Sequence, residues 1–173
     1  RTYTTPLVHQ AYLEPHSCVV LIDEDQRIQI WAANKAPFAL RQQLAAAIGV
    51  DENKIRLNPT YIGGDFGGKG SPMDVPLAYF LALHSKRPVR MVMDYVEEFM
   101  AANPRHPSVT TVRSGVLNDG TLIAWEARIV FNSGAYGGFK PGVNLGGARD
   151  VAGPYKIPHT SVEAIQFYTN SVA

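Results

Sequence analysis

An α+β fold is the expectation for this chain of 173 residues, and three observations carry it. Strand-like runs alternate with helix-like stretches up to Met100, whereas only strand-like runs follow. Two of those later runs are joined by Asn118-Asp119-Gly120, a strong tight-hairpin signal. Apolar residues make up 46% and charged residues 18% of the chain, the balance of a globular core. The expected architecture is a mixed sheet with two main helices in the order β-β-α-β-α-β, then a long antiparallel hairpin and a further strand.

Each element has a local reason. Ser17–Ile22 and Arg27–Ala33 have strand composition and flank the acidic turn Asp23-Glu24-Asp25, which reads as a solvated hairpin tip. Pro37 suits the first turn of a helix, Leu40, Leu44 and Ile48 follow on one stripe, and Gly49 ends it as a C-cap. Lys54–Asn58 alternates charged and apolar side chains and stops at Pro59, giving a strand that feeds the loop Tyr61–Pro72. Leu77–His84 reads as a largely buried helix, broken by Arg87-Pro88, after which Val89–Asp94 alternates as a strand. A short helix follows, with Glu97 and Glu98 as its exposed start. Val109–Leu117 and Thr121–Ser133 form the hairpin; a second glycine-rich loop, Gly134–Gly147, and a turn at Gly153-Pro154-Tyr155 precede a strand at Val162–Thr169. The last third is therefore expected to be antiparallel. Residues 1–102 form an α/β part with the first glycine loop, and residues 103–173 an antiparallel β part of the same domain.

Composition narrows the function. Sixteen basic against fifteen acidic residues leave a net charge of +1, which argues against capture of nucleic acid or an anionic membrane. The longest apolar stretch, Leu77–Leu83, is too short to span a bilayer. Cys18 is the single cysteine, so this chain alone holds no disulfide framework, cysteine-rich zinc site or iron–sulfur cluster. No basic-then-apolar segment follows Arg1, and Ala173 comes just after a strand. The expectation is a cytoplasmic piece of a longer polypeptide.

The chemistry concentrates in Gly63-Gly64-Asp65-Phe66-Gly67-Gly68-Lys69-Gly70, which places five glycines in eight positions between a strand and a helix. Such a loop can turn several N–H groups toward one anion, and an aromatic held between glycine pairs is costly unless it packs on something. Gly63 to Lys69 fits seven positions of a phosphate loop, but Gly70 stands where a Ser or Thr hydroxyl would reach Mg²⁺. No G-x-G-x-x-G pattern occurs. The five histidines, His9, His16, His84, His106 and His159, show no pair at ligand spacing, and no G-x-S-x-G elbow is present, so neither a protein-ligated metal nor a nucleophile is expected. Cys18 lies inside an apolar run and reads as a buried, inert thiol. Arg105, fixed between prolines, and Arg149, after the second glycine loop, are candidates for binding an anion.

The succession Tyr12-Leu13-Glu14-Pro15, Trp31-Ala32-Ala33-Asn34-Lys35 with Pro37, Ile62-Gly63-Gly64-Asp65-Phe66-Gly67-Gly68-Lys69, Arg87-Pro88-Val89-Arg90, Arg105-His106-Pro107, Asp119-Gly120-Thr121 and Pro154-Tyr155-Lys156-Ile157-Pro158 resembles the molybdopterin-binding large subunit of the xanthine dehydrogenase and aldehyde oxidase family. The resemblance runs through essentially the whole chain. It implies a molybdenum cofactor-binding domain of a hydroxylase that oxidises an aldehyde or N-heterocycle with water-derived oxygen. The metal is then held by a pterin, in plain or cytosine dinucleotide form, and takes no protein ligand. Electrons leave through [2Fe-2S] clusters and FAD on partner subunits or domains, and the rest of the large subunit is a further partner.

The same resemblance makes Gly63, Gly64, Asp65, Phe66, Gly67, Gly68 and Lys35 the cofactor-binding residues, with Phe66 beside the metal and substrate. Lys35 stands where many relatives place a glutamine that hydrogen-bonds the molybdenum oxo group, and Asp65 replaces a common glycine. Gly70 and Gly146 stand where purine-oxidising members carry a glutamate and an arginine, which argues against xanthine as the substrate. The family's general base lies in a later segment, so the resemblance implies no catalytic residue within this chain and no turnover by these residues alone. Two other readings are a phosphate-loop-like nucleotide-binding module and a non-catalytic assembly domain whose glycine loops are only turns.

Overall fold

The computed structural model describes residues 1–135, 148 and 150–172. The chain divides into two compact units, His9–Pro104 and a second made of Arg1–Val8 with Arg105–Ala173.

The unit His9–Pro104 is built on β2 (Ser17–Ile22), β3 (Ile28–Ala32), β4 (Ile55–Asn58) and β5 (Val89–Val92), in the order β4-β3-β2-β5. β2 pairs antiparallel with β3 and β5, while β3 and β4 are parallel, with Ile30 opposite Leu57. The parallel step needs a crossover, which α1 (Pro37–Ile48) and a short 3₁₀ turn (Glu52–Lys54) supply. The period-two pattern decides which face is covered. Cys18 and Val20 of β2, Ile28 and Ile30 of β3, and Ile55 of β4 enter one core with Leu40 and Leu44 of α1, and Leu57, Val89 and Met91 pack against it. Each fully buried Leu, Ile or Val contributes about 1.5–3 kcal/mol.

Helix ends follow their chemistry. Pro37 opens α1, and Gly49 closes it at φ +71°, donating to the Ala45 carbonyl at 3.0 Å. α2 (Val75–Ser85) turns Val75, Ala78, Tyr79 and Ala82 into the core. It is not largely buried, since Leu77, Phe80, Leu81 and Leu83 remain exposed: the sheet covers a single stripe of a helix that is apolar all round. α3 (Tyr95–Ala101) begins at a capping box, in which Asp94 accepts from the Glu97 amide and Glu97 accepts from the Asp94 amide. Glu97 is exposed as expected. Glu98 is not: it points inward and is only 1% exposed, because Tyr12 and His16 supply it with donors there.

The second unit is a sheet of order β1-β6-β7-β8, formed by β1 (Thr2–Thr5), β6 (Ser108–Val116), β7 (Leu122–Asn132) and β8 (His159–Phe167). β6 and β7 form the expected hairpin, and Gly120 takes φ +90° at its turn. β8 runs parallel to β7, Ala124 opposite His159 through Asn132 opposite Phe167, so this part is not wholly antiparallel. The connection between them is long enough for a crossover, which an antiparallel neighbour does not need. β1 has no counterpart in the sequence reading, because its partner β6 is remote in the chain, Thr2 lying opposite Thr111. Residues 136–147 and Arg149, hence most of the second glycine loop and Gly146, lie outside the described residues.

Candidate functional site

The loop between β4 and α2 rests on Tyr12 and Glu14. A Cβ at Gly68 would stand 2.6 Å from Tyr12 Cε1, one at Gly64 2.9 Å from Tyr12 Cβ, and one at Gly63 2.6 Å from Glu14 Cβ. Three glycines of the loop are thus required by the chain's own packing. Gly67 is required by its backbone, with φ +101°. Gly70 meets only Lys35 Cε at 3.6 Å, an ordinary contact.

The loop's amides point at carboxylates of this chain. Gly63 donates to Glu14 Oε2 at 2.7 Å, Gly67 to Asp65 Oδ2 at 2.8 Å, and Lys69 to Asp65 Oδ1 at 2.6 Å. The anion cradle expected from the glycine spacing therefore exists, but Asp65 and Glu14 fill it. Lys69 is wholly buried; its Nζ lies 2.7 Å from Glu14 Oε2 and 4.6 Å above the centre of the Tyr12 ring. A lysine so placed has no path to a phosphate, and the nucleotide-binding reading loses its cation.

Lys35 lies in the segment that enters α1, and its amide donates to the Lys69 carbonyl at 3.0 Å. Its ammonium, about half exposed, sits 2.9 Å from Asp65 Oδ2. Burial pushes the Asp65 carboxyl up, but Lys35 and the amides of Gly67 and Lys69 outweigh it and hold Asp65 below the usual range. Burial acts on Glu14 in the same direction and is overcome by Lys69 and the Gly63 amide. Phe66, next to Asp65 in the loop, has φ +46° and is 65% exposed. Left-handed backbone costs a residue with a side chain about 1–2 kcal/mol. The structure thus brings six of the sequence-predicted residues together in one loop, with Lys35 tied to its rim.

Sequence reasoning singled out no role for the residues that support this loop. Asn103, buried, donates to Ser71 Oγ at 2.7 Å, and Asn34 donates to the Ser71 carbonyl at 2.8 Å, so the loop's exit is tied down. Below the loop, Glu98 accepts from the Tyr12 hydroxyl, from the His16 amide at 2.6 Å and from His16 Nδ1 at 2.8 Å, with His9 Nε2 at 3.2 Å. Burial pushes Glu98 up, yet the bonds from Tyr12 and His16 prevail and its carboxyl lies below the ordinary value. Burial next to this carboxylate drives the Tyr12 phenol far upward, so it remains a donor. The available signal was arithmetic: a buried lysine and a buried tyrosine each need an acceptor, and Glu14 and Glu98 are acidic residues beside apolar ones.

Cys18 is 4% exposed, and burial followed by the Asp74 charge pushes its thiol up to about 11. Among the described residues, no group of three His, Cys, Asp or Glu side chains could hold a metal ion. Arg105 sits where its amide bonds the Val8 carbonyl at 2.7 Å, in the other unit from the loop.

The described residues form an α+β arrangement of two sheets and three helices, and solved structures share this fold. The aldehyde oxidoreductase from Desulfovibrio gigas superposes with a TM-score of 0.92 over 99% of this chain and 19% of its own, at 24% identity. The quinoline 2-oxidoreductase from Pseudomonas putida 86 does so with a TM-score of 0.89 over 99% of this chain and 22% of its own, also at 24% identity. These likenesses are of fold.

The chain belongs to the molybdopterin cofactor-binding domain family, whose model matches residues 1–173. It is 34% identical over 170 residues to a probable xanthine dehydrogenase subunit from Bacillus subtilis (strain 168), covering 98% of this chain and 23% of that protein. It is 29% identical over 173 residues to the nicotinate dehydrogenase large molybdopterin subunit from Eubacterium barkeri, covering 98% of this chain and 40% of that protein. The chain thus spans well under half the length of these relatives. No helix among the described residues is long and apolar enough to cross a membrane.

Proposed function

We propose that this chain is the cofactor-facing part of a molybdenum hydroxylase large subunit, in a cytoplasmic enzyme that oxidises an aldehyde or N-heterocycle. The observation that supports this most directly is Phe66. Its ring is exposed on a backbone conformation that costs energy, and the family match covers the loop that holds it. A domain keeps such a residue where a bound group packs on it.

The residues present fit a pterin-held metal. The group, when bound, supplies oxygen transfer and two-electron chemistry, and the protein supplies shape and charge. Phe66 gives an apolar contact at the loop's tip. Gly63, Gly64 and Gly68 let the loop lie close on Tyr12 and Glu14, and Asp65 with Lys35 presents a rim in which each charge is neutralised by the other. A neutral rim suits an uncharged substrate such as an aldehyde. In this reading Lys35 acts as a hydrogen-bond donor, since an ammonium accepts no hydrogen bond and its charge is balanced by Asp65. Electrons leave through [2Fe-2S] and FAD partners, and the pterin is in plain or cytosine dinucleotide form.

Molybdenum and pterin content of the full-length subunit, purified from its native host with whatever co-elutes, tests the reading. About one molybdenum per chain is the expected result. Absence of both in a preparation that retains its iron–sulfur partner overturns it and favours an assembly role.

A further inference from the structure

We propose that Glu14 and Lys69 act as a buckle that closes the glycine loop into a ring, making both of them positioning residues for what Phe66 presents; this rests on the cofactor-facing reading. The loop starts at Gly63 and its charged end is Lys69. One carboxylate oxygen, Glu14 Oε2, accepts from the Gly63 amide and from the Lys69 ammonium, each at 2.7 Å. The Glu14 amide returns a bond to the Gly63 carbonyl at 3.2 Å. The two ends of the loop are therefore joined through a single atom.

Asp65 organises the amides inside the ring, and Lys35 holds Asp65 from outside, where both are in contact with solvent. The Glu14–Lys69 pair differs in its cation: Glu14 is partly exposed, as Asp65 is, but the ammonium it holds is fully buried. Lys69 has no exposed surface, its Nζ lies over the Tyr12 ring, and it cannot turn to water if Glu14 lets go. Tyr12 is in turn pinned by its hydroxyl on the buried Glu98. The ring is thus fastened on its buried side, and its exposed side carries Phe66 in left-handed backbone, which a slack loop would relax.

The experiment is amide hydrogen exchange, read by mass spectrometry on the full-length protein, for peptides covering the loop and α2. Lys69→Met removes the ammonium, and Glu14→Gln, the milder variant, keeps an acceptor for Gly63 while removing the charge. The expected result is loop exchange faster by about tenfold or more, with α2 within about twofold of wild type. In the same preparations, molybdenum and pterin content or kcat falls while KM holds. Unchanged loop exchange overturns the buckle, and so does a rise shared equally by α2, because that is general loosening. A loosened loop with wild-type cofactor content and kcat overturns the positioning role. Wild-type protein without molybdenum overturns the cofactor-facing reading instead, and leaves the exchange result to decide the buckle.

Discussion

Gly68 lies so close to Tyr12 that a Cβ on it would stand 2.6 Å from the ring's Cε1 and 3.1 Å from its hydroxyl. Tyr12 cannot give way, because its hydroxyl is bonded to Glu98. Gly68→Ala is therefore expected to destabilise the protein by about 1–3 kcal/mol. Gly70→Ala, two residues on, meets only Lys35 Cε at 3.6 Å and is expected to stay within about 0.5 kcal/mol of wild type. Urea midpoints of the two variants check this. Equal effects would show that the glycines are not distinguished by packing on Tyr12.

Acid weakens the platform under the loop. Glu98 has a folded-state carboxyl below its ordinary 4.5, so its ionised form stabilises the fold above that value. That contribution is lost as pH falls from 4.5 through the lower folded value. Glu98→Gln removes this part of the pH dependence, and Glu98→Ala costs about 3 kcal/mol or more, by leaving Tyr12 and His16 without their acceptor. Denaturation curves collected from neutral pH down to well below 4.5 measure both, and a Glu98→Gln curve parallel to wild type in that acid range contradicts the assignment.

Cys18 is expected to be inert. With its thiol raised to about 11 and its side chain in the core, alkylation in mildly alkaline buffer should be slower than in the denatured chain by about a hundredfold or more. Thiol titration with and without denaturant reads this directly. Rapid labelling of the native protein would place Cys18 on a mobile strand.

Phe66 is expected to separate stability from function. Phe66→Gly gives up the ring's contacts in the fold but relieves left-handed backbone by about 1–2 kcal/mol, so the cofactor-free protein should stay within about 1 kcal/mol of wild type. The same variant in the full-length enzyme should lose turnover. Thermal midpoints and dye reduction on one set of variants check the two halves, and retained turnover would favour the assembly reading.

Much of the fold was legible locally. Ser17–Ile22, Pro37 to Gly49 and the turn at Gly120 are set by neighbours within a few residues: alternation, a proline that suits a first turn, and glycines in left-handed backbone. β1 was invisible because Thr2–Thr5 is exposed throughout and paired with residues 108–111. The direction of β8 was misread for a related reason, since a strand's composition carries no mark of whether its neighbour runs with it or against it.

Local residue order was enough to place a glycine loop with one aromatic between a strand and a helix, and to show that no cysteine or histidine cluster accompanies it in the sequence. Which way that loop faces depended on the folded chain. Glycine permits many backbone paths, and here the path is chosen by Tyr12, Glu14 and Glu98, which stand far from it in the sequence on either side. Burial of Lys69 against a distant carboxylate turns a phosphate-like pattern inward, because an ammonium removed from water must keep its partner, and the same closure leaves the Phe66 ring largely exposed.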